Sequence, residues 1–170
     1  MNNTALGLLL FLLTIAAVSV DYHLHFLSIF SLKLLKNISK TAGSASMSLF
    51  LLAFLLYAVR LLYGWIMKNN ISLPGMSRIQ SLLKLLFKWH PFVGYTAISL
   101  AIFHSYTMLF YLPQKQFAMI SGIITFLIFV IVVSCGIKLS GKRQHVSFKN
   151  WHVNFSYACM SLLFLHKMVS

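Results

Sequence analysis

Acidic residues are almost absent from this chain: Asp21 stands alone against fourteen lysines and arginines in 170 residues. Charged residues make up 9% of the sequence, whereas a soluble domain usually has about 25%. Without a second carboxylate, paired-carboxylate catalysis and carboxylate proton relays are excluded. The basic residues lie mainly between apolar runs, where the positive-inside rule and anionic headgroups account for them. We therefore expect no nucleic-acid partner.

Cysteine and nucleotide-binding motifs are also scarce or missing. Cys135 and Cys159 both lie inside apolar stretches and form no CxxC motif, so neither a zinc site nor a redox dithiol is indicated. The sequence contains no GxGxxG motif. The chain is also too short for a membrane domain together with a full nucleotide-binding domain.

Apolar residues dominate what is present: 59% of the sequence is hydrophobic, and the mean hydropathy is +0.85. A spanning helix needs about 20 mostly apolar residues. The sequence predicts an all-α integral membrane protein, with a single membrane domain over 1–170 and a bundle of about five transmembrane helices. These helices are predicted at residues 5–20, 47–67, 91–112, 117–137 and 151–169.

The segments between these runs are more polar. Residues 21–40 are predicted to extend the first helix or to lie along the interface as a possible sixth short segment. Residues 39–46, SKTAGSAS, are interpreted as a turn. Residues 78–89 are predicted to form an amphipathic helix in the headgroup plane. Basic residues are more numerous on the side of 78–88 and 138–149, which favours that side as cytoplasmic in a multi-pass protein of the cell (inner) membrane.

Four histidines have a repeated spacing. His90 and His104 are 14 residues apart, and so are His152 and His166. Fourteen residues complete about four helical turns and rise about 21 Å, so each pair shares one helix face and spans much of the bilayer. Because one helix lies between the two ligand helices, they run in the same direction. We expect His90 to face His152 at one depth and His104 to face His166 at the other, with each pair supplying the two axial nitrogens of a heme b iron.

Small side chains separate the histidines on the same two faces. Such side chains leave room for two flat macrocycles, although they also favour plain helix packing in membranes. We therefore include them among the candidate cofactor-binding residues. They are Gly94, Ala97 and Ala101 on the first helix, and Ser156 and Cys159 on the second.

Two other interpretations of the histidines remain open. Buried histidines in a membrane helix can hydrogen-bond to neighbours or form a proton path. A non-heme metal is the other alternative, but zinc or copper prefers ligands clustered at one point rather than in two layers about 21 Å apart.

Two segments carry a family resemblance. KWHPFVGYTAISLAIFHSYTMLF (88–110) and NWHVNFSYACMSLLFLHKM (150–168) resemble the paired heme-ligand helices of the ferric reductase-like transmembrane family, which includes NADPH oxidases and ferric reductases. The resemblance covers roughly residues 78–170. It implies two stacked hemes that move electrons across the membrane. Members usually carry a sixth spanning helix and flavin- and nicotinamide-binding domains, so the resemblance also implies a separate flavoprotein, or quinol, as the electron donor.

The resulting functional expectation is transmembrane electron transfer through two b-type hemes, in a membrane subunit of a ferric reductase-like oxidoreductase with an unidentified acceptor. We expect electrons to enter on the basic side, near His90 and His152. One alternative is the cytochrome b anchor of a quinone-linked respiratory complex. Its pocket would be lined by residues such as Tyr95, Ser99, Tyr106 and Tyr157. The other alternative is a heme-free membrane assembly or transport subunit.

Overall fold

The computed structural model describes residues 3–69, 75–112, 115–139 and 146–169, and this part of the chain is entirely helical apart from its connections. The helices are α1 (Asn3–Leu24), α2 (Leu32–Lys68), α3 (Met76–Phe110), α4 (Gln116–Leu139) and α5 (Val146–Val169). A short 3-10 helix, Phe26–Ile29, lies between α1 and α2.

Four of these helices, α1 to α4, are long and apolar enough to cross a membrane. Their outer faces carry exposed apolar side chains such as Leu13, Leu62 and Leu127, each more than half exposed. Such a surface suits lipid rather than water. The chain is therefore an all-helical protein of the multi-pass membrane type. α5 is as long as α4 but is not among the four, because polar residues such as His152 and Asn154 interrupt its apolar sequence.

Helix α2 begins 15 residues earlier than predicted, so the interpretation of residues 39–46 as a turn is wrong. The small residues Ser39, Ala42 and Ser46 recur at helical spacing and are buried. Ser46 Oγ donates a 2.8 Å hydrogen bond to the Ala97 carbonyl on α3. Small residues allow close approach of helix backbones in membranes, and here they form a packing face.

Helix α3 also differs from the prediction. Residues 78–89 do not form a separate amphipathic segment, because one continuous helix runs from Met76 to Phe110 through Pro91. The helix has 35 residues and is therefore about 52 Å long, which exceeds the roughly 30 Å hydrocarbon core. The basic first turns of α3 lie beside the last turns of α2, where the Arg60 guanidinium sits 4.9 Å from the centre of the Phe87 ring.

Helix α3 is the centre of the bundle. It packs against α1, α2 and α4, whereas α5 packs mainly against α4. Within the described residues, the backbones of α3 and α5 barely approach each other. An apolar core joins α2, α3, α4 and α5 near the middle of the bundle. It consists of Phe50, Ala97, Ile98, Phe129, Val132 and Cys159. Few backbone contacts therefore join α3 directly to α5.

The sole acid fixes the connection between α1 and α2. Asp21 is only 6% exposed, and its carboxylate accepts hydrogen bonds from the hydroxyls of Tyr106 (2.8 Å) and Tyr111 (2.7 Å) and from the Leu27 N–H (2.6 Å). Burial, together with the hydrogen bond to Asp21, raises the pKa of the Tyr111 phenol. His25 takes a left-handed conformation at φ 50°, which ends α1. Residues 21–40 thus divide between the end of α1, this turn and the start of α2.

We expect Asp21→Ala to destabilise the fold by about 3 kcal/mol, since one buried and two half-buried donors lose a charged acceptor. Asp21→Asn keeps one oxygen acceptor and should cost clearly less. A thiol-reactive fluorophore can follow thermal unfolding in detergent, because Cys135 and Cys159 are both buried in the folded chain. Equal melting of Asp21→Ala and wild type would show that this network does not hold the connection.

Candidate cofactor site

The four spaced histidines lie between α3 and α5 at two levels. The ring centres of His90 and His152 are 6.4 Å apart, and the ring planes are nearly perpendicular at 80°. His104 and His166 are close enough to interact electrostatically at the other level. Each level therefore brings together one imidazole from α3 and one from α5.

The spacing of the first pair fits two axial ligands of one metal ion. An imidazole nitrogen lies about 2.0–2.1 Å from a bound first-row metal, and the ring centre lies roughly 1.1 Å farther out. Two rings on opposite sides of one ion should therefore have centres about 6.2–6.4 Å apart. The distance between His90 and His152 agrees with that value.

A cavity opens beside the first pair. Its volume is about 380 Å³, within the range of ordinary cofactor and ligand sites. His90, His152 and three of the predicted small residues, Gly94, Ala97 and Ser156, line it. A Cβ added at Gly94 would meet no atom within 4 Å, so this glycine leaves open space on the face of α3.

Two cations also line this cavity, Arg60 from α2 and Lys149 from α5. At the other level, the Lys167 ammonium lies within electrostatic range of both His104 and His166. Basic side chains near each histidine pair can form charge-assisted hydrogen bonds with the carboxylates of a heme.

The remaining predicted residues lie between the two levels. Cys159 is completely buried in the apolar core, and Ala101 packs against the same cluster. These two side chains therefore separate the two histidine pairs rather than line the cavity at His90 and His152.

Three of the histidines hydrogen-bond to a backbone carbonyl of a neighbouring helix, and His104 and His152 do so through Nδ1. His104 Nδ1 lies 2.8 Å from the Ser39 carbonyl, and His152 Nδ1 lies 2.8 Å from the Val132 carbonyl. His166 bonds to the Ala118 carbonyl, and its Nδ1 also lies 3.0 Å from the Ser121 hydroxyl. A carbonyl only accepts, so Nδ1 of His104 and of His152 must donate, and Nε2 of each neutral ring keeps its lone pair. This is the usual arrangement of a metal-binding histidine.

Sequence reasoning missed these carbonyl partners, although one signal was available. Gly122 and Gly136 on α4 are 14 residues apart, the same spacing as the histidines on α5. Each of these glycines lies against one of the α5 imidazoles.

Among the described residues, no three His, Cys, Asp or Glu side chains gather as a multi-ligand metal site. The histidines instead form two pairs, and three of the four rings hydrogen-bond to a helix carbonyl. This arrangement fits a cofactor that carries its own equatorial ligands, as a porphyrin does. Compared with known proteins, the chain matches no family model, no curated protein and no solved structure.

The hydrogen bonds predict the tautomers of the heme-free protein. In lipid at a pH where the rings are neutral, we expect His104 and His152 to carry the proton on Nδ1. Solid-state ¹⁵N NMR of histidine-labelled protein distinguishes the two ring nitrogens, and His23 on α1 provides a comparison. Protons on Nε2 of His104 and His152 would contradict the orientation described here.

Proposed function

We propose that this chain binds two b-type hemes between α3 and α5 and carries electrons across a cell membrane. In this proposal it is the membrane heme subunit of a ferric reductase-like oxidoreductase. The observation that carries the proposal is the facing of His90 and His152, with ring centres 6.4 Å apart, and the presence of a second histidine couple one level away. When bound, bis-histidine hemes supply one-electron chemistry without an open iron position.

The chain's own residues would hold each porphyrin and set its surroundings. His90 and His152 would hold one heme iron, and His104 and His166 would hold the other. Hydrogen bonds to the carbonyls of α2 and α4 fix the planes of three rings and raise their basicity. The apolar core around Cys159 provides the low-dielectric layer between the levels.

All five helices span the bilayer in this proposal, including α5. Its two histidines and Asn154 lower its hydropathy, but facing a cofactor inside the bundle would remove the imidazoles from lipid. The end of the bundle with His90 and His152 also carries Arg78, Lys84 and Lys88. We place this basic side in the cytoplasm, with the chain in the inner membrane, where it attracts an acidic flavoprotein donor.

A second candidate function, the anchor of a quinone-linked complex, is favoured by another cavity. A cleft of about 580 Å³ between α1 and α3 is lined by Ser99 and Tyr106, two of the residues predicted for such a pocket, and also by Asp21. Tyr95 lines the histidine cavity instead, and Tyr157 packs on Phe54. The hydroxyls of Ser99 and Tyr106 are already bonded within the chain, so the cleft supports this candidate less than the histidine pairs support the first.

The ligand assignment is tested by His104→Ala and His152→Ala in protein expressed with heme supplementation. We expect two hemes per chain in the wild type, and each substitution should lose or weaken one. The number of hemes per chain is measured by heme quantitation and by a dithionite-reduced minus oxidised spectrum of the wild type and of each variant. His23→Ala is the matched control because His23 lies on α1 outside both pairs, and it should retain two hemes.

Gly94→Phe tests the cavity without removing a ligand. The added ring would enter the open space beside His90 and should displace one heme while leaving the other level intact. Equal heme content in all of these variants would contradict the assignment. A colourless wild type would favour the heme-free assembly or transport subunit.

A further inference from the structure

Three of the four histidine rings rest on the same local arrangement of a neighbouring helix. A glycine lies directly behind the ring, and the carbonyl four residues before that glycine accepts a hydrogen bond from the ring. We call this arrangement the glycine–carbonyl cradle. Its three examples are Gly43 with the Ser39 carbonyl for His104, Gly136 with the Val132 carbonyl for His152, and Gly122 with the Ala118 carbonyl for His166.

The glycine is required because the imidazole lies against the helix backbone. A Cβ at Gly43 would stand 2.8 Å from His104 Nδ1, and one at Gly122 or Gly136 would stand 3.1 or 3.2 Å from the Cε1 of its histidine. Residues four apart lie one above the other on a helix face. The missing side chain therefore exposes the carbonyl one turn before it to a ring from the next helix.

His90 lacks a cradle. The two histidine levels are 14 residues apart on each helix. The residue of α2 that lies 14 positions after Gly43 is Tyr57 rather than a glycine. Tyr57 and Ala53, the residue four before it, both line the cavity beside His90. The Nδ1 atom of His90 is buried and has no hydrogen-bond partner among the described residues.

We propose that this asymmetry gives the two levels different reduction potentials, with the more negative potential at His104/His166. The inference rests on the proposed function, since it concerns the imidazoles as axial ligands. An Nδ1–H bond to a carbonyl makes an imidazole a stronger electron donor, and a stronger donor stabilises oxidised iron. At His104/His166 both imidazoles hydrogen-bond to a helix carbonyl, whereas at the other level only His152 does.

Fixed charges act in the same direction. Arg60 and Lys149 line the cavity at His90 and His152, and positive charge stabilises an added electron. At the other level, Lys167 is the one cation that interacts with both His104 and His166 among the described residues, so the positive charge is smaller there. A donated electron should therefore reside mainly at His90/His152, on the basic side of the bundle.

A redox titration of the heme-loaded wild type in lipid provides the first test. We expect two waves, and Gly43→Ala should shift the lower wave to a more positive potential because the added Cβ pushes His104 away from the Ser39 carbonyl. Gly136→Ala should instead raise the upper wave. Gly64→Ala, on α2 like Gly43→Ala, is the matched control because a Cβ at Gly64 meets nothing within 4 Å. It should leave both waves unchanged.

The two proposals can fail separately. A wild type that binds no heme refutes the proposed function. A wild type with two hemes that titrate as a single wave refutes the asymmetry, whether or not the glycine variants retain heme. The asymmetry is also refuted if the wild type gives two waves but Gly43→Ala has the same two potentials as Gly64→Ala. A shift of the upper wave by Gly43→Ala refutes it as well. Tyr57→Gly adds an independent check, since it should lower the upper wave if a fourth cradle can form.

Discussion

The fold depends on keeping α3 and α5 apart while their histidines face each other. Imidazoles are costly inside an apolar bundle unless they are partnered, and direct packing of α3 on α5 would leave no room for anything between them. Both helices instead pack against α4, and α2 supports α3 from the opposite side. The apolar core around Phe129 and Cys159 joins these layers at mid-height. The result is a bundle whose polar groups are concentrated in two separate levels.

The backbone has a chemical role in this arrangement. With almost no carboxylates in the sequence, the chain has no acidic side chain to orient its buried histidines, and its one acid is used at the α1–α2 connection. Helix carbonyls take that role, and they become reachable only where a glycine removes the obstructing Cβ. Ser39 and Ser121 add hydroxyls near Nδ1 of His104 and His166. The small-residue face of α2 thus both packs against α3 and positions one of its histidines.

The histidine pairing could be predicted from the sequence because 14-residue spacing on two co-directional helices fixes face and height together. In the structure the ring centres of His90 and His152 lie 6.4 Å apart, and His104 and His166 lie within electrostatic range of each other. Residues 39–46 were misread because serine and glycine favour turns in water, whereas serine, glycine and alanine together favour close helix packing in membranes. Pro91 suggested a boundary that α3 does not have. The carbonyl partners and the role of Arg60 depend on which helices become neighbours, and periodicity within one helix carries no such information.

The central claim is that each level holds one iron between two imidazoles. Low-temperature EPR of the oxidised, heme-loaded wild type in lipid, with spin quantitation, tests it most directly. The account predicts two low-spin ferric signals typical of bis-imidazole ligation, together accounting for two spins per chain. A mainly high-spin signal would mean that at least one axial imidazole is missing and would contradict the account.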